Sequence, residues 1–398
     1  MRIETTNNAC HVTLTMSGRL DTFSAQQAAK EIEESLAQQG AINSLTCDMG
    51  AVTYISSSGL RIVLSLAKRY HPFKLIEVQP AVYNVLEMTG FTKIMTVERG
   101  LRQISIDGCK MIGQGGVGTV YRLDDDTIIK VFREGTTMDE VNTEITMAKE
   151  AFVLGMPTAI SFDVVKVDGQ LGLVYELLKA DTLSACISRE PSRIDEFARK
   201  YADLFRHLHA IKVPPSGQIP DAMAHEEESI RHISRYFGEE RTNILLDIVH
   251  SVPKGDRLLH LDLQTKNAMM QGDELMLIDM GEVGYGHPLL DLAHAYSAMV
   301  SLVGDYESII GMKREQGADL WRRTMGYYFE GQSEAQIAHR LEQIEVVACV
   351  RNFSWLSLSD SFPEEVIAEC RQLFEVRVMD RLDHIREVCL SLGDWTLS

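Results

Sequence analysis

Alternating apolar and polar residues dominate the N-terminal quarter of this 398-residue chain. Residues 11–16 follow the alternation up to Gly18 and predict a half-buried strand. Further elements are predicted in turn, namely strands at 42–49, 73–78 and 94–97 and helices at 23–36, 60–66 and 82–86. Such a series predicts helices packed on a mixed or parallel sheet, within one domain of about 100 residues.

A glycine-rich segment then introduces a different pattern. Gly113, Gly115 and Gly118 have the spacing G-x-G-x-x-G, in which backbone amides can approach phosphates closely. The dinucleotide-binding fingerprint shares this spacing but requires a helix after it. Here apolar residues, the acidic turn 124–126 and a second apolar run follow, so the sequence predicts a β-hairpin.

The second strand of that hairpin carries Lys130 between apolar residues. We interpret Lys130 as the cation that holds the α- and β-phosphates of a nucleotide; the alternative is a strand lysine that faces solvent. Thr137 and Glu140 predict a capping box for the next helix. Within that helix Glu144 is favoured as the partner of Lys130, with Glu140 and Glu150 as competitors.

Two motifs further along the chain carry the clearest chemical signature. His260, Asp262 and Asn267 fit the pattern H-x-D-x-x-x-x-N, and Asp279 opens a D-x-G element after the short apolar run 275–278. Phosphoryl transfer from a nucleotide needs a carboxylate that orients the attacking hydroxyl, and an Asn and an Asp that hold Mg²⁺ on the phosphates. Together and in this order, the two motifs predict a kinase-like active site.

The remaining sequence predicts a hinge followed by helices. Residues 174–178 follow a strand and predict a hinge between two lobes, where the backbone of Glu176 and Leu178 would contact the nucleotide base. A helix is predicted to end at Pro214-Pro215-Ser216-Gly217. From Asp319 onward the periodicity predicts helices, ending in a long stretch over 363–392, that would complete the larger lobe and form the acceptor pocket.

Charge is divided unevenly along the chain. Residues 1–105 contain 10 Lys/Arg and 9 Asp/Glu, whereas the rest contains 29 and 48, a balance of −19. An acidic catalytic domain disfavours nucleic-acid substrates and suits a cationic small molecule, although a solvated acidic surface has the same composition.

The seven cysteines form no C-x-x-C pair, and no apolar run reaches the length of a membrane span or signal peptide. We therefore expect a cytoplasmic protein without nucleic-acid or membrane partners.

Residues from about 108 onward resemble the protein-kinase-like fold, in the branch of aminoglycoside phosphotransferases and choline-kinase-type enzymes. The segment 260–267 is similar to that branch's H-G-D-x-x-x-x-N, with Leu261 in place of glycine. Ile278-Asp279-Met280-Gly281 resembles its metal-binding element, and 288–293 resembles its D-L-A segment. The glycine-rich loop is instead more similar to that of protein kinases, although no A-P-E element or evident activation segment follows.

This resemblance implies a role for each residue of the motifs. Asp262 would be the catalytic base, Asn267 and Asp279 would bind Mg²⁺, and Asp291 would support the catalytic loop. ATP is the implied phosphate donor. The mixed features leave the class of acceptor open between a small molecule and a protein.

Residues 48–61 resemble the STAS domain of bacterial anti-sigma-factor antagonists, as do 18–21 and 86–91. In antagonists a serine within D-S-x-G-L is reversibly phosphorylated, and it aligns with Ser57; here Ser56 replaces the preceding acidic residue. Ser57 is expected where a strand ends and a helix begins, and unpaired amides there favour negative charge. The alternative is that these serines only cap the helix.

The sequence therefore predicts a multidomain chain, α/β plus α+β: a STAS domain at 1–105, a kinase-like N-terminal lobe at 106–178 and a helical lobe at 179–398. The leading interpretation is an ATP- and Mg²⁺-dependent phosphotransferase with a regulatory STAS domain. Its acceptor would be the hydroxyl of a small molecule or a protein serine. The alternative is a signalling module that binds an anti-sigma-factor-like partner, in which the kinase-like part phosphorylates Ser57 or senses a nucleotide without turnover.

Overall fold

The structure, a computed structural model, describes residues 1–214, 217–359 and 362–395. The chain forms two compact units. Unit 1 contains Met1–Asp107 together with Val164–Gly172, and unit 2 contains Gly108–Asp163 and Leu173–Ser398. No pattern in the sequence indicates that Val164–Gly172 belongs with the first unit.

Unit 1 contains a five-stranded sheet in the order β1-β2-β3-β4-β5. Its strands are β1 (Arg2–Asn8), β2 (His11–Leu20), β3 (Ser44–Ile55), β4 (Phe73–Val78) and β5 (Thr96–Arg99), and its helices are α1 (Thr22–Ala37), α2 (Ser57–Arg69) and α3 (Pro80–Met88). The first pair of strands is antiparallel and the other pairs are parallel. The predicted mixed sheet with packed helices is confirmed.

The alternation in β2 produces the core of this unit. Val12, Leu14 and Met16 are buried, while the residues between them are half-buried. Helix α1 begins after Asp21, whose carboxylate accepts hydrogen bonds from the backbone N–H of Phe23 and Ser24. The third strand is longer than predicted and continues to Ile55, so only one residue separates it from α2.

Unit 2 begins with strands and continues mainly as helices. After the short strand β6 (Arg102–Gln103) of unit 1, the chain continues with β7 (Lys110–Gln114), β8 (Gly118–Arg122), β9 (Thr127–Phe132), α4 (Met138–Val153), β10 (Ser161–Val167) and β11 (Gln170–Glu176). Within these, Val164–Gly172 of β10 and β11 belong to unit 1. The middle part contains β12 (Asp181–Thr182), α5 (Leu183–Arg189), α6 (Ile194–Ala210), α7 (Ala222–His232), α8 (Ser234–Phe237), α9 (Glu239–His250), β13 (Arg257–Leu259), β14 (Ala268–Gln271), β15 (Glu274–Leu277) and β16 (Gly284–Gly286). The last part contains α10 (Pro288–Tyr296), α11 (Tyr306–Ile310), α12 (Arg314–Tyr328), α13 (Glu334–Ser354), α14 (Glu364–Arg377) and α15 (Leu382–Ser391).

The structure differs from the prediction at two helical segments. The stretch 363–392 is not one helix, because a 3₁₀ turn at Met379–Arg381 separates α14 from α15. This turn lets Phe374 and Ile385 both reach the hydrophobic core. The helix predicted to end at 214–217 ends at Ala210, and Pro215 and Ser216 lie outside the described residues.

Three strand pairs place the candidate catalytic segments. Strands β8 and β9 form the predicted antiparallel hairpin after the glycine-rich loop. Strands β14 and β15 form a second hairpin, and β13 pairs with β16. The loop 260–267 therefore starts and ends at paired strands. In the part of the chain that the structure describes, no helix combines the length and apolar character needed to cross a membrane.

Candidate active site

The glycine-rich loop connects β7 to β8 and is mostly exposed. The Gly115 N–H donates a hydrogen bond to the Gly118 carbonyl at 2.9 Å. A Cβ at Gly118 would lie 2.3 Å from the Val131 carbonyl oxygen, so only glycine fits there. A Cβ at Gly115 would meet nothing within 4 Å, and one at Gly113 would meet nothing closer than 3.7 Å. The loop thus combines one packing glycine with an unobstructed backbone that a phosphate can approach.

Lys130 occupies a buried ion pair beside this loop. Its Nζ lies 2.9 and 3.0 Å from the two carboxylate oxygens of Glu144, and 3.4 Å from Asp279 Oδ1. Burial alone lowers the pKa of Lys130, but the carboxylates of Asp279 and Glu144 outweigh it and raise that pKa. The competitor Glu140 is engaged in the capping box of α4 with Thr137. The structure therefore places Glu144 against Lys130 and keeps the lysine cationic.

Tyr175 completes this pair and is not singled out by any motif. Its hydroxyl donates a hydrogen bond of 2.7 Å to Glu144 Oε1. Burial and the neighbouring Glu144 carboxylate raise the pKa of Tyr175, so the phenol stays protonated and remains a donor. The one indication in the sequence of a role for Tyr175 is its position directly before Glu176, the predicted hinge contact at the end of β11.

Within the predicted hinge, the backbone N–H of Leu177 already makes a hydrogen bond within the protein. The Leu177 N–H donates to the Asp126 carbonyl at 2.7 Å, at the turn between β8 and β9. This bond fixes the hinge to the same hairpin that carries Lys130. The predicted base-contacting residues Glu176 and Leu178 flank the anchored position on either side.

Asp262 lies in the loop after β13, where it is half-buried and held by two side chains. Asn267 Nδ2 donates to the Asp262 carbonyl at 2.9 Å and to its Oδ2 at 2.7 Å. Gln264 Nε2 lies 3.3 Å from each carboxylate oxygen. Burial raises the pKa of Asp262 to about 6, and the nearby Arg351 opposes this rise. A fixed carboxylate with a pKa near 6 is suited to accept a hydrogen bond or proton from a hydroxyl.

Asp279 stands in a left-handed backbone conformation, with φ of 64°, directly before the 3₁₀ turn Met280–Glu282. The preceding Ile278 N–H donates to the Asn267 carbonyl at 3.0 Å, which places Asn267 and Asp279 on adjacent backbone segments. Since the Asn267 amide nitrogen binds Asp262, its amide oxygen remains available as a ligand. One carboxylate and one amide oxygen match the few protein ligands that Mg²⁺ takes when phosphates supply others.

The backbone of residues 260–267, the candidate catalytic loop, is held by Asp291 of α10. Asp291 Oδ1 accepts from the Leu261 N–H at 2.8 Å, and Oδ2 accepts from the His260 N–H at 3.3 Å. His209 Nε2 lies 3.1 Å from Oδ2 and its Nδ1 lies 2.8 Å from the Tyr328 hydroxyl. Hydrogen bonds to the ionised form hold the pKa of Asp291 low even though burial raises it. Asp291 is thus an internal anchor for the loop.

A second buried pair, His294 and Glu226, also holds the loop, and neither residue was predicted from the sequence. His294 Nδ1 hydrogen-bonds to the Leu261 carbonyl, and His294 Nε2 lies 2.6 Å from Glu226 Oε1. Both ring nitrogens lie close to acceptor oxygens, an arrangement that favours the doubly protonated imidazolium. Burial alone lowers the pKa of His294, but Glu226 and the Leu261 carbonyl outweigh it and raise that pKa. Leu261, held from both sides, adopts a left-handed φ of 61°.

The candidate modification site in unit 1 stands at the start of α2. Ser56 is the N-cap: its Oγ accepts from the Gly59 N–H at 3.3 Å and donates to the Leu20 carbonyl at 3.2 Å. Ser57 is the first residue of the helix and is exposed. The capping role therefore belongs to Ser56, and the Ser57 hydroxyl is accessible.

Comparison with known families assigns both parts of the chain. The sequence model described as "phosphotransferase enzyme family" matches residues 109–327, more than half of the chain. The chain belongs to the phosphotransferase enzyme family. The model described as "STAS domain" matches residues 1–104, so this phosphotransferase carries an N-terminal STAS domain. Both predicted resemblances are confirmed.

The STAS domain also has a curated relative. Over 75 residues it is 37% identical to BtrV of Bordetella bronchiseptica, a protein described as an anti-sigma factor antagonist. The aligned region covers 17% of the present chain and 65% of the relative, which is just under two thirds of the relative's length.

Solved structures resemble the phosphotransferase more distantly. The ADP-bound aminoglycoside phosphotransferase APH(2'')-Ib has a TM-score of 0.46 at 13% identity, covering 67% of this chain and 92% of that one. A choline/ethanolamine kinase family protein from Mesorhizobium loti has a TM-score of 0.46 at 15% identity, covering 71% and 92%. The streptomycin–ATP complex of APH(2'')-IIa has a TM-score of 0.45 at 14% identity, covering 66% and 90%. At this level of similarity the assignment rests on the family match.

Proposed function

We propose that unit 2 transfers the γ-phosphate of ATP to the hydroxyl group of an acceptor. The observation that carries this proposal is the position of Lys130, whose ammonium lies between the carboxylates of Glu144 and Asp279. An ammonium fixed beside an open glycine-rich loop is the arrangement that binds nucleotide phosphates in kinases. Mg²⁺, held by Asn267 and Asp279, would neutralise charge on the phosphates.

Asp262 would act on the acceptor. Its carboxylate would accept a hydrogen bond from the acceptor hydroxyl and take up the proton as the new O–P bond forms. Asn267 holds Oδ2 of this carboxylate, so the rotation of the side chain is restricted. The acidic surplus of the sequence after residue 105 supports a cationic small molecule as acceptor.

The test is turnover of ATP with a panel of amino-alcohol and aminoglycoside acceptors, comparing the wild-type protein with Asp262→Asn. The variant keeps the size of the side chain and removes the base, so kcat should fall by about 10²–10⁴-fold. The affinity for ATP, measured by calorimetry, should change little, because Asp262 is assigned to the acceptor. Unchanged kcat with any accepted substrate would remove Asp262 as the base.

A second candidate acceptor is Ser57, in the same or another molecule. It is favoured by the exposed position of its hydroxyl at a helix N-terminus, with Ser56 already serving as the cap. A phosphate there would add about −1.5 to −2 charges and change binding of an anti-sigma-factor-like partner. The similarity of the STAS domain to BtrV supports a partner of this kind.

The intact mass after incubation with ATP and Mg²⁺ separates these acceptors. A phosphate-sized gain that disappears in both Asp262→Ala and Ser57→Ala would support Ser57 as the acceptor. A gain that persists in Ser57→Ala would exclude it. Nucleotide binding without mass gain or turnover on any acceptor would support the nucleotide-sensing alternative.

A further inference from the structure

An ion pair joins the turn after Asp279 to a helix beyond the matched family region. Glu282 is the last residue of the 3₁₀ turn Met280–Glu282, and its Oε2 lies 2.9 Å from Arg351 Nη2. Arg351 belongs to α13, whereas the family match ends at residue 327. This contact therefore comes from a part of the chain that the family description does not cover.

The pair is largely removed from solvent. The side chains of Arg351 and Glu282 are 16% and 26% exposed. Helix α13 packs against α7 and α10, the two helices that carry Glu226 and the loop anchors. Burial alone lowers the pKa of Arg351, but Glu282, Glu226 and Asp262 outweigh it and raise that pKa. The guanidinium is thus a fixed positive charge among carboxylates that converge on the candidate site.

The turn that carries Glu282 needs such an external constraint. Asp279 has a left-handed φ of 64°, a conformation that costs a non-glycine residue on the order of 1–3 kcal/mol. A long backbone hydrogen bond, of 3.4 Å from the Val283 N–H to the Met280 carbonyl, closes the turn. Within the turn, Met280 is buried in the core, and Glu282 adds an ion pair to a side chain outside the turn.

We propose that Arg351 is a positioning residue for the metal site: by holding Glu282, it fixes the turn that presents Asp279. This inference rests on the proposed function, since it assigns Asp279 to Mg²⁺. Supporting contacts outside the first ligands of a metal commonly change metal affinity about 10–100-fold. Arg351 itself contacts neither substrate nor metal in this assignment.

The experiment measures ATP affinity by calorimetry with and without Mg²⁺ in the full chain. For the wild type, Mg²⁺ should increase ATP affinity. In Glu282→Gln/Arg351→Met, which removes both charges and leaves neither one buried alone, this increase should fall by about tenfold. Affinity without Mg²⁺ should stay unchanged, because Lys130 and the glycine-rich loop are untouched. The single variant Arg351→Lys should show a Mg²⁺ effect between those of the wild type and the double variant. Lysine keeps the positive charge beside Glu282 but lacks the planar guanidinium group.

A matched control lies on the same helix. Glu345 of α13 pairs with Arg381 at 2.7 Å, so Glu345→Gln/Arg381→Met removes an ion pair of similar length away from the site. This control should keep the full Mg²⁺ effect. If the Glu282/Arg351 double variant also keeps it while wild type and Asp279→Asn differ, the role of Arg351 is refuted and the metal assignment stands. If the wild type shows no Mg²⁺ effect on ATP affinity, both proposals fail.

Discussion

At the scale of single residues, the candidate catalytic loop contains a leucine in a backbone conformation that favours glycine. Leu261 has a φ of 61° and is almost completely buried. Its N–H and carbonyl are both bound, by Asp291 and His294. The left-handed backbone is thus maintained by buried partners on both sides, and the side chain contributes packing that glycine would lack.

Substitutions at Leu261 should separate packing from backbone strain. Leu261→Ala removes buried methyl groups and keeps the strain, so unfolding free energy should fall by about 2–5 kcal/mol. Leu261→Gly loses the same packing but relieves the strain, and should be more stable than the Ala variant by about 1 kcal/mol. Urea unfolding followed by tryptophan fluorescence reports on unit 2, because Trp321, Trp355 and Trp395 all lie there. A Gly variant less stable than the Ala variant would contradict the assigned strain.

At the scale of elements, a buried pair of charges joins helices α7 and α10 and contacts the candidate catalytic loop. Glu226 on α7 faces His294 on α10, which in turn binds the Leu261 carbonyl. Burial raises the pKa of Glu226, but His294 outweighs it and the pKa falls from 4.5 to about 2. The pKa of His294 is raised above 6.5. Stability from this pair therefore depends on pH in both directions.

The sign of each shift fixes the pH window. A lowered carboxyl pKa contributes stability above pH 4.5 and loses it as pH falls towards 2; a raised histidine pKa contributes below pH 6.5 and loses it as pH rises past the folded value. The pair should therefore stabilise unit 2 most between pH 4.5 and 6.5. Urea unfolding of the wild type should show this decline above pH 6.5, and Glu226→Gln/His294→Gln should show a flatter profile. Equal slopes for the two proteins would exclude the pair as the cause.

Local patterns predicted much of the fold because they report on elements that are close in sequence. The apolar alternation predicted strand β2, and the acidic run 124–126 predicted the turn that joins β8 to β9. The ion pair between Arg351 and Glu282 was not predicted, because the two residues are 69 positions apart in the sequence. An arginine within a helical pattern cannot be distinguished by sequence from one on a solvent-exposed face. Tyr175 and Glu226 were missed for the same reason, since their partners are determined only by tertiary packing.

At the scale of the whole molecule, two units of different composition share one chain. The excess of negative charge lies after residue 105, in the part that carries the phosphotransferase family match. The segment Val164–Gly172 is contributed by the middle of the sequence yet belongs to the compact unit of the STAS domain. The order of the motifs predicted which domains are present. It did not predict that Val164–Gly172 belong to unit 1, because the sequence of a short hairpin does not indicate the unit against which it packs.

The position of Arg351 affects how this enzyme can be divided or recombined. A shortened protein that stops at residue 327 would retain every recognised motif, yet Glu282 would have lost its cation. Grafting residues 109–327 into another scaffold would fail in the same way, with a half-buried carboxylate left unpaired beside Asp279. On the proposed role of Arg351, a transferable unit of this chain would extend at least through α13, past residue 327 at which the family match ends.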